Sequence, residues 1–211
     1  MGKDTYETEA RDKKLETYEW DDVWVDHADN DDARVLLIGD SISRGYRHFA
    51  VEAFLPEYRA DNYASSKGAD NPALIKMIDL VLSQSDKYEI VNINNGLHGW
   101  HLSAEEYKKS LDGVVAFIKE KYPTLKVYIA LSTPIRVKGD VSKLDERNAL
   151  AIERNNAVRE IAEKYDLPIN DLYTPLVDHP ELFAEDGVHL KDEAYKMLAQ
   201  VIADAVKSGE K

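Results

Sequence analysis

The chain has 211 residues, 44% of them hydrophobic, a formal net charge of −13 and no cysteine. That length builds one domain with a full core. The acidity argues against nucleic acid or an anionic membrane as partner, and the absence of cysteine excludes disulfides, thiolate metal sites and a cysteine nucleophile.

No apolar run approaches the ~18 residues of a membrane span, and the N-terminus shows no signal-peptide core. The chain therefore reads as soluble, with its compartment and oligomeric state open. Residues 1–32 carry twelve acidic against four basic side chains and read as an acidic arm, disordered from Met1 to about Lys14. Trp20 and Trp24 are four apart, so a short helical turn would present both on one side. They would either pin the arm to the core or stack on a sugar or aromatic group of a substrate.

From Arg34 onward, strand-like and helix-like segments alternate. Val35-Leu36-Leu37-Ile38 predicts a buried parallel strand, stopped at Gly39 and followed by a helix over about Ser43–Ala53. Tyr58–Tyr63 predicts a second strand, and Leu74, Ile78, Val81 and Leu82 recur at helical spacing. Ile90–Ile93 predicts a third strand, ended by Asn94-Asn95-Gly96. Ser103 and Glu106 form a capping box for a long helix whose stripe is Tyr107, Leu111, Val114, Val115 and Ile118. Val127–Leu131 predicts a fourth strand, about Leu144–Tyr165 a polar helix, and Leu167–Asn170 a brief fifth strand. Asp171–Gly187 reads as a long loop. The last helix buries Ala194, Leu198, Val201, Ile202 and Ala205.

Five such units predict an α/β domain: a flavodoxin-like three-layer α/β/α fold whose five-stranded parallel sheet runs 2-1-3-4-5. Its switch point lies between strands 1 and 3, where open α/β sheets bind ligands. Those strands end at Gly39-Asp40-Ser41 and at Asn94-Asn95-Gly96-Leu97-His98. A hydroxyl at Ser41 would stand near a helix N-terminus whose free N–H groups stabilise an oxyanion. Asp40 or Ser41 would equally serve as a plain helix cap. Near the C-terminus, Glu185-Asp186-Gly187-Val188-His189-Leu190 sets a carboxylate three residues before an imidazole, a spacing able to orient the ring. His27, His48, His98, His101 and His179 also exist, so the residues alone leave the base open. His98 and His101 are three apart, but no third ligand follows at zinc-like spacing.

Gly39-Asp40-Ser41 after the first strand, with Asp186-x-x-His189 before the last helix, resembles the SGNH-hydrolase (GDSL esterase/lipase) superfamily. The likeness covers about Arg34 to Val206, so residues 33–211 read as the hydrolase domain. The resemblance implies Ser41 as nucleophile, His189 as base and Asp186 as the acid of a triad. It also implies an oxyanion hole from the Ser41 N–H, Gly68 and an Asn after the third strand. At that last place the chain departs from the family's Gly-x-Asn-Asp block: aligning the glycines puts His98 there, and a shifted register puts Asn95 there. The lack of a second Gly in Gly39-Asp40-Ser41-Ile42-Ser43 counts against an ordinary α/β-hydrolase elbow. The implied chemistry is acyl transfer to water, with no metal or cofactor.

Loops near the switch point offer Asp40, Arg44, Lys67, His98, Trp100 and Arg136 for substrate contact. Aromatic rings among hydrogen-bonding groups suit a short acyl ester on a small molecule or oligosaccharide, so an acetyl-type carbohydrate esterase is expected. Arg44 and Arg47 would alternatively pair with the acidic arm, and Trp100 anchor the core. The alternatives are a thioesterase or lysophospholipase of the same superfamily, or a non-catalytic ligand-binding protein on the same fold.

Overall fold

A computed structural model describes residues 18–209; the disorder expected for Met1–Lys14 lies outside them. The first parallel strand, β2 (Arg34–Gly39), is buried along its whole length. Its side chains alternate between two apolar layers, Val35 and Leu37 on one face and Leu36 and Ile38 on the other. A strand covered on both faces needs no polar alternation, which is why the run is continuously apolar. β2 sits between β3 (Arg59–Ser65) and β4 (Tyr88–Ile93), parallel to both. β5 (Lys126–Ala130) and β8 (Ile169–Asn170) extend the sheet beyond β4, again in parallel. The sheet is covered on one side by α1 (Ser41–Phe54) and α6 (Asp192–Ser208), and on the other by α2 (Pro72–Leu82), α3 (Ala104–Lys121) and α4 (Asn148–Tyr165). The three-layer α/β/α architecture is thus present.

The sheet has six strands rather than five. β1 (Asp21–Trp24) joins its edge antiparallel to β3, giving the order β1-β3-β2-β4-β5-β8. The arm expected to lie outside the domain therefore contributes a strand, and the turn over Trp20–Trp24 is extended rather than helical. Even offsets share a face of extended chain, and both rings reach α1: Arg44 lies 5.7 Å from the Trp20 centroid and Arg47 5.0 Å from that of Trp24. What fixes β1 is hydrogen bonding to Asp21. Its carboxylate accepts from Tyr63 Oη (2.8 Å), Ser65 Oγ (2.9 Å) and Lys67 Nζ (2.6 Å). Burial would raise the Asp21 pKa, but these bonds win and hold it below its ordinary value.

The segment before α4 is also not helical. Arg136–Val137 (β6) and Asp140–Leu144 (β7) pair as a separate hairpin, and α4 starts at Asn148. The expected loop Asp171–Gly187 contains one helical turn, α5 (Thr174–Val177), and a 3-10 turn at Pro180–Leu182. The capping box forms as read: Ser103 Oγ accepts from the Glu106 N–H, and the Glu106 carboxylate from the Ser103 N–H. No described helix is long and apolar enough to cross a membrane.

Candidate active site

β2 ends at Gly39, and α1 begins at once with Ser41 as its first residue. Asp40 caps the helix, accepting from the Ile42 N–H at 2.8 Å. The half-buried Ser41 is thereby held at the carboxyl edge of the sheet, with its own N–H among those a helix start leaves free. The neighbouring strand end is adjacent as the switch-point argument requires: the Asn94 N–H donates to the Ile38 carbonyl at 3.0 Å.

His189 comes from the loop before α6. Asp186 Oδ1 accepts from the N–H groups of Val188 and His189, each at 2.9 Å, which closes a tight turn. Gly187 occupies that turn at φ +76°, where a Cβ would lie 2.1 Å from the Arg136 carbonyl oxygen. The remaining carboxylate oxygen, Oδ2, stands 2.6 Å from His189 Nδ1, and His189 Nε2 stands 3.0 Å from Ser41 Oγ. An ionised carboxylate only accepts, so Nδ1 carries the proton and Nε2 is the acceptor facing the Ser41 hydroxyl. Burial pushes the Asp186 pKa up, but the His189 ring and the two backbone N–H groups outweigh it and keep the group below its ordinary value. Asp186 is therefore charged at neutral pH.

The hairpin β6–β7, not foreseen from the sequence, backs this turn. The Arg136 N–H donates to the Gly187 carbonyl at 2.7 Å and the Gly139 N–H to that of Glu185 at 2.9 Å. Arg136 itself is buried, donating to the carbonyls of Val141 and Val177 and lying 4.9 Å from the Phe183 ring centroid. Its guanidinium thus lies under the loop that carries His189. Asp40, 1% exposed, is likewise sealed in as a cap. The Lys67 side chain is 7% exposed, with Nζ 2.6 Å from Asp21 and 3.6 Å from Glu19. Arg44 remains half exposed and pairs with Asp22 at 3.3 Å, while Arg47 pairs with the same carboxylate. Trp100 packs at the edge of the core against Arg154. His101 Nε2 lies 2.9 Å from Asp70.

Asn95 and Gly68 meet at one corner. Asn95 is buried, and its Nδ2 donates to the Lys67 carbonyl, one residue before Gly68, at 2.8 Å. His98 is half-buried in the same loop. Arg154 and Asn155, on α4, also reach these loops. They were missed because α4 was read as polar, although 154 falls on its apolar stripe between Ala151 and Val158.

The sequence profile of the GDSL-like lipase/acylhydrolase family matches residues 37–197. The chain belongs to that family. It is accordingly a carboxylic ester hydrolase. A GDSL esterase/lipase of Arabidopsis thaliana is 23% identical over 181 residues, covering 80% of this chain and 73% of that protein. Among solved structures, Est24, a carbohydrate acetylesterase from Sinorhizobium meliloti, is 15% identical and superposes with a TM-score of 0.66 over 83% of this chain and 99% of its own. The acetyl xylan esterase AlAXEase is 20% identical, with a TM-score of 0.65 over 82% and 99%. The M. smegmatis aryl esterase is 14% identical, with a TM-score of 0.67 over 83% and 99%. At these identities the structural likenesses speak for the fold, and the family match speaks for the chemistry.

Proposed function

We propose that the protein is a serine esterase that removes short, acetyl-type acyl groups from a carbohydrate, with Ser41 as nucleophile, His189 as general base and Asp186 as its charged partner. The observation that carries the reading is the His189 ring standing 3.0 Å from Ser41 Oγ on one side and 2.6 Å from Asp186 on the other. As Ser41 Oγ attacks the ester carbonyl, its proton passes to His189 Nε2, and Asp186 stabilises the imidazolium. The oxyanion is met by the Ser41 N–H at the start of α1, the Gly68 N–H and the Asn95 side-chain amide. An amide NH2 carries two hydrogens; Asn95 places one on the Lys67 carbonyl and has one to give, which favours it over His98. His189 then protonates the leaving alcohol. The same ring activates the water that frees the acid from the acyl-enzyme.

The carbohydrate part rests on the acetylated-carbohydrate activities named for two structural relatives and on the half-buried Trp20 beside the exposed Arg44 on the first turn of α1. The test is hydrolysis of p-nitrophenyl acetate, butyrate and octanoate, then of acetylated oligosaccharides, by the wild type, Ser41→Ala and His189→Ala. Acetate cleaved fastest, with nearly all rate lost in both variants, supports the reading. Full activity in Ser41→Ala ends the nucleophile assignment, and an octanoate preference replaces the short-acyl reading with a lysophospholipase-like one.

A further inference from the structure

We propose that Arg154 is a positioning residue for the oxyanion corner: it sets the turnover at Ser41 without touching the substrate. The inference rests on the reading of Ser41 as nucleophile.

Arg154 stands in the middle of α4, fully buried at 0% exposure. Its Nη1 donates to the carbonyls of Gly96 (2.9 Å) and His98 (2.6 Å), and its Nη2 to that of Gly99 (2.7 Å). The guanidinium also lies against two rings, 5.1 Å from the Trp100 centroid and 4.8 Å from that of Tyr107. Three carbonyls converging on one planar fork means that the loop after β4 is wrapped around this side chain. The loop has no strand or helix of its own between Asn94 and Ser103, so the guanidinium replaces the hydrogen-bond ladder that would otherwise hold its backbone.

The consequence reaches both proposed oxyanion donors outside α1. Asn95, immediately before the wrapped stretch, ties its side chain to the Lys67 carbonyl. Gly99, at the far end, packs directly on Gly68: a Cβ on Gly68 would lie 2.9 Å from the Gly99 Cα. The spacing between the Asn95 amide and the Gly68 N–H is therefore set by where the 96–99 loop sits, and Arg154 sets that. The neighbouring Asn155 does the same for the next loop, accepting from the Ser132 N–H at 2.7 Å and donating to the Ser132 carbonyl at 3.0 Å. An ammonium is a point charge without the fork, so lysine is no equivalent at such a position.

Displacement of a catalytic group by 1 Å costs about 10²-fold in rate. Arg154→Lys and Arg154→Met should therefore lower kcat on p-nitrophenyl acetate about 10–100-fold while KM moves by less than about threefold. Inactivation by diethyl p-nitrophenyl phosphate, whose phosphoryl oxygen occupies the same corner, should slow in parallel. Millimolar guanidinium should restore part of the kcat of Arg154→Gly. A merely structural arginine would lower Tm and the fraction of titratable active sites, leaving kcat per site intact; that result, or kcat within twofold of wild type in Arg154→Lys, overturns the inference. Should the Arg154 variants fail to fold, Gly99→Ala decides, because it pushes the loop from Gly68 with Arg154 in place. A kcat-selective loss supports the proposal, and unchanged kcat overturns it. Ser41→Ala runs alongside: if it stays active, both readings fall, and if it is inert while Arg154→Lys matches wild type, only this inference falls.

Discussion

Asp186→Asn separates the charge of Asp186 from its role as a turn-former. The asparagine oxygen still accepts from the Val188 and His189 N–H groups that Asp186 Oδ1 holds at 2.9 Å, so the turn carrying the ring survives. The other terminal atom becomes an NH2 facing His189 Nδ1, now at 2.6 Å from a carboxylate oxygen. It donates, Nδ1 must accept, and the ring proton moves to Nε2, opposite Ser41 Oγ. In that tautomer the ring cannot take the serine proton. In a serine protease whose aspartate is buried, the same change costs about 10⁴ in kcat. Here both side chains are 44% exposed, and water replaces part of what the carboxylate supplied. We expect a loss of about 10²–10³ in kcat/KM on p-nitrophenyl acetate at pH 7, or about 2.7–4.1 kcal/mol. The folded-state pKa of Asp186 is depressed, so its charge contributes stability above the ordinary aspartate range and loses it as pH falls through the folded value. The wild type's small Tm advantage over Asp186→Asn should accordingly be present at neutral pH and absent in strong acid. A folded Asp186→Asn enzyme within about fivefold of wild-type kcat/KM would refute the argument that the carboxylate sets the working tautomer.

Gly187→Ala should lower both Tm and kcat, because the new Cβ meets the Arg136 carbonyl at 2.1 Å on a residue at φ +76°; the strain is about 1–3 kcal/mol, and wild-type kinetics would uncouple the turn from the ring. Arg136→Met should cost about 2–4 kcal/mol through the orphaned carbonyls of Val141 and Val177, read as a Tm loss of roughly 4–16 °C, with the acetate-to-butyrate rate ratio unchanged. A changed ratio would return Arg136 to the substrate pocket. Asp21→Asn should loosen β1: because the Asp21 pKa is lowered by its partners, the Tm gap to wild type is full at neutral pH and closes as pH falls below the ordinary aspartate range. A gap that widens in acid would contradict the assigned direction.

The parts of the fold that the sequence displayed are those built on apolar periodicity. Val35-Leu36-Leu37-Ile38 announces β2 because a strand buried on both faces is continuously apolar. The stripes of α3 and α6 announce helices for the same reason. β1 was invisible because Asp21-Asp22-Val23-Trp24 has neither alternation nor a buried face: Val23 is 43% and Trp24 38% exposed. Its hold comes from Tyr63, Ser65 and Lys67, more than 40 residues away in sequence. Lys67 and Arg136 are expected near substrate from their loops at the carboxyl ends of the strands, and the partners that bury them carry no local signature. Both are buried, since a carboxylate in one case and two carbonyls in the other meet them from distant segments.

The two sides of the site are held by different physics, and the difference explains where the family resemblance weakens. Ser41 and His189 stand at the ends of a buried strand and a tight turn, positions dictated by core packing and by one glycine's φ. Those constraints leave short, readable signatures at Gly39-Asp40-Ser41 and Asp186-Gly187-Val188-His189. The loops after β3, β4 and β5 are instead held by side chains gripping backbone carbonyls: Asn95 on Lys67, Arg154 on Gly96, His98 and Gly99, and Asn155 on Ser132. A backbone carbonyl is the same on every residue, so the gripped sequence is free to vary, and Asn95-Gly96-Leu97-His98-Gly99 departs from the family block there. The energetic corollary is a division among variants: those that hollow the core beneath β2 lose Tm with kcat per folded site intact, whereas those at Arg154 lose kcat beyond what Tm accounts for.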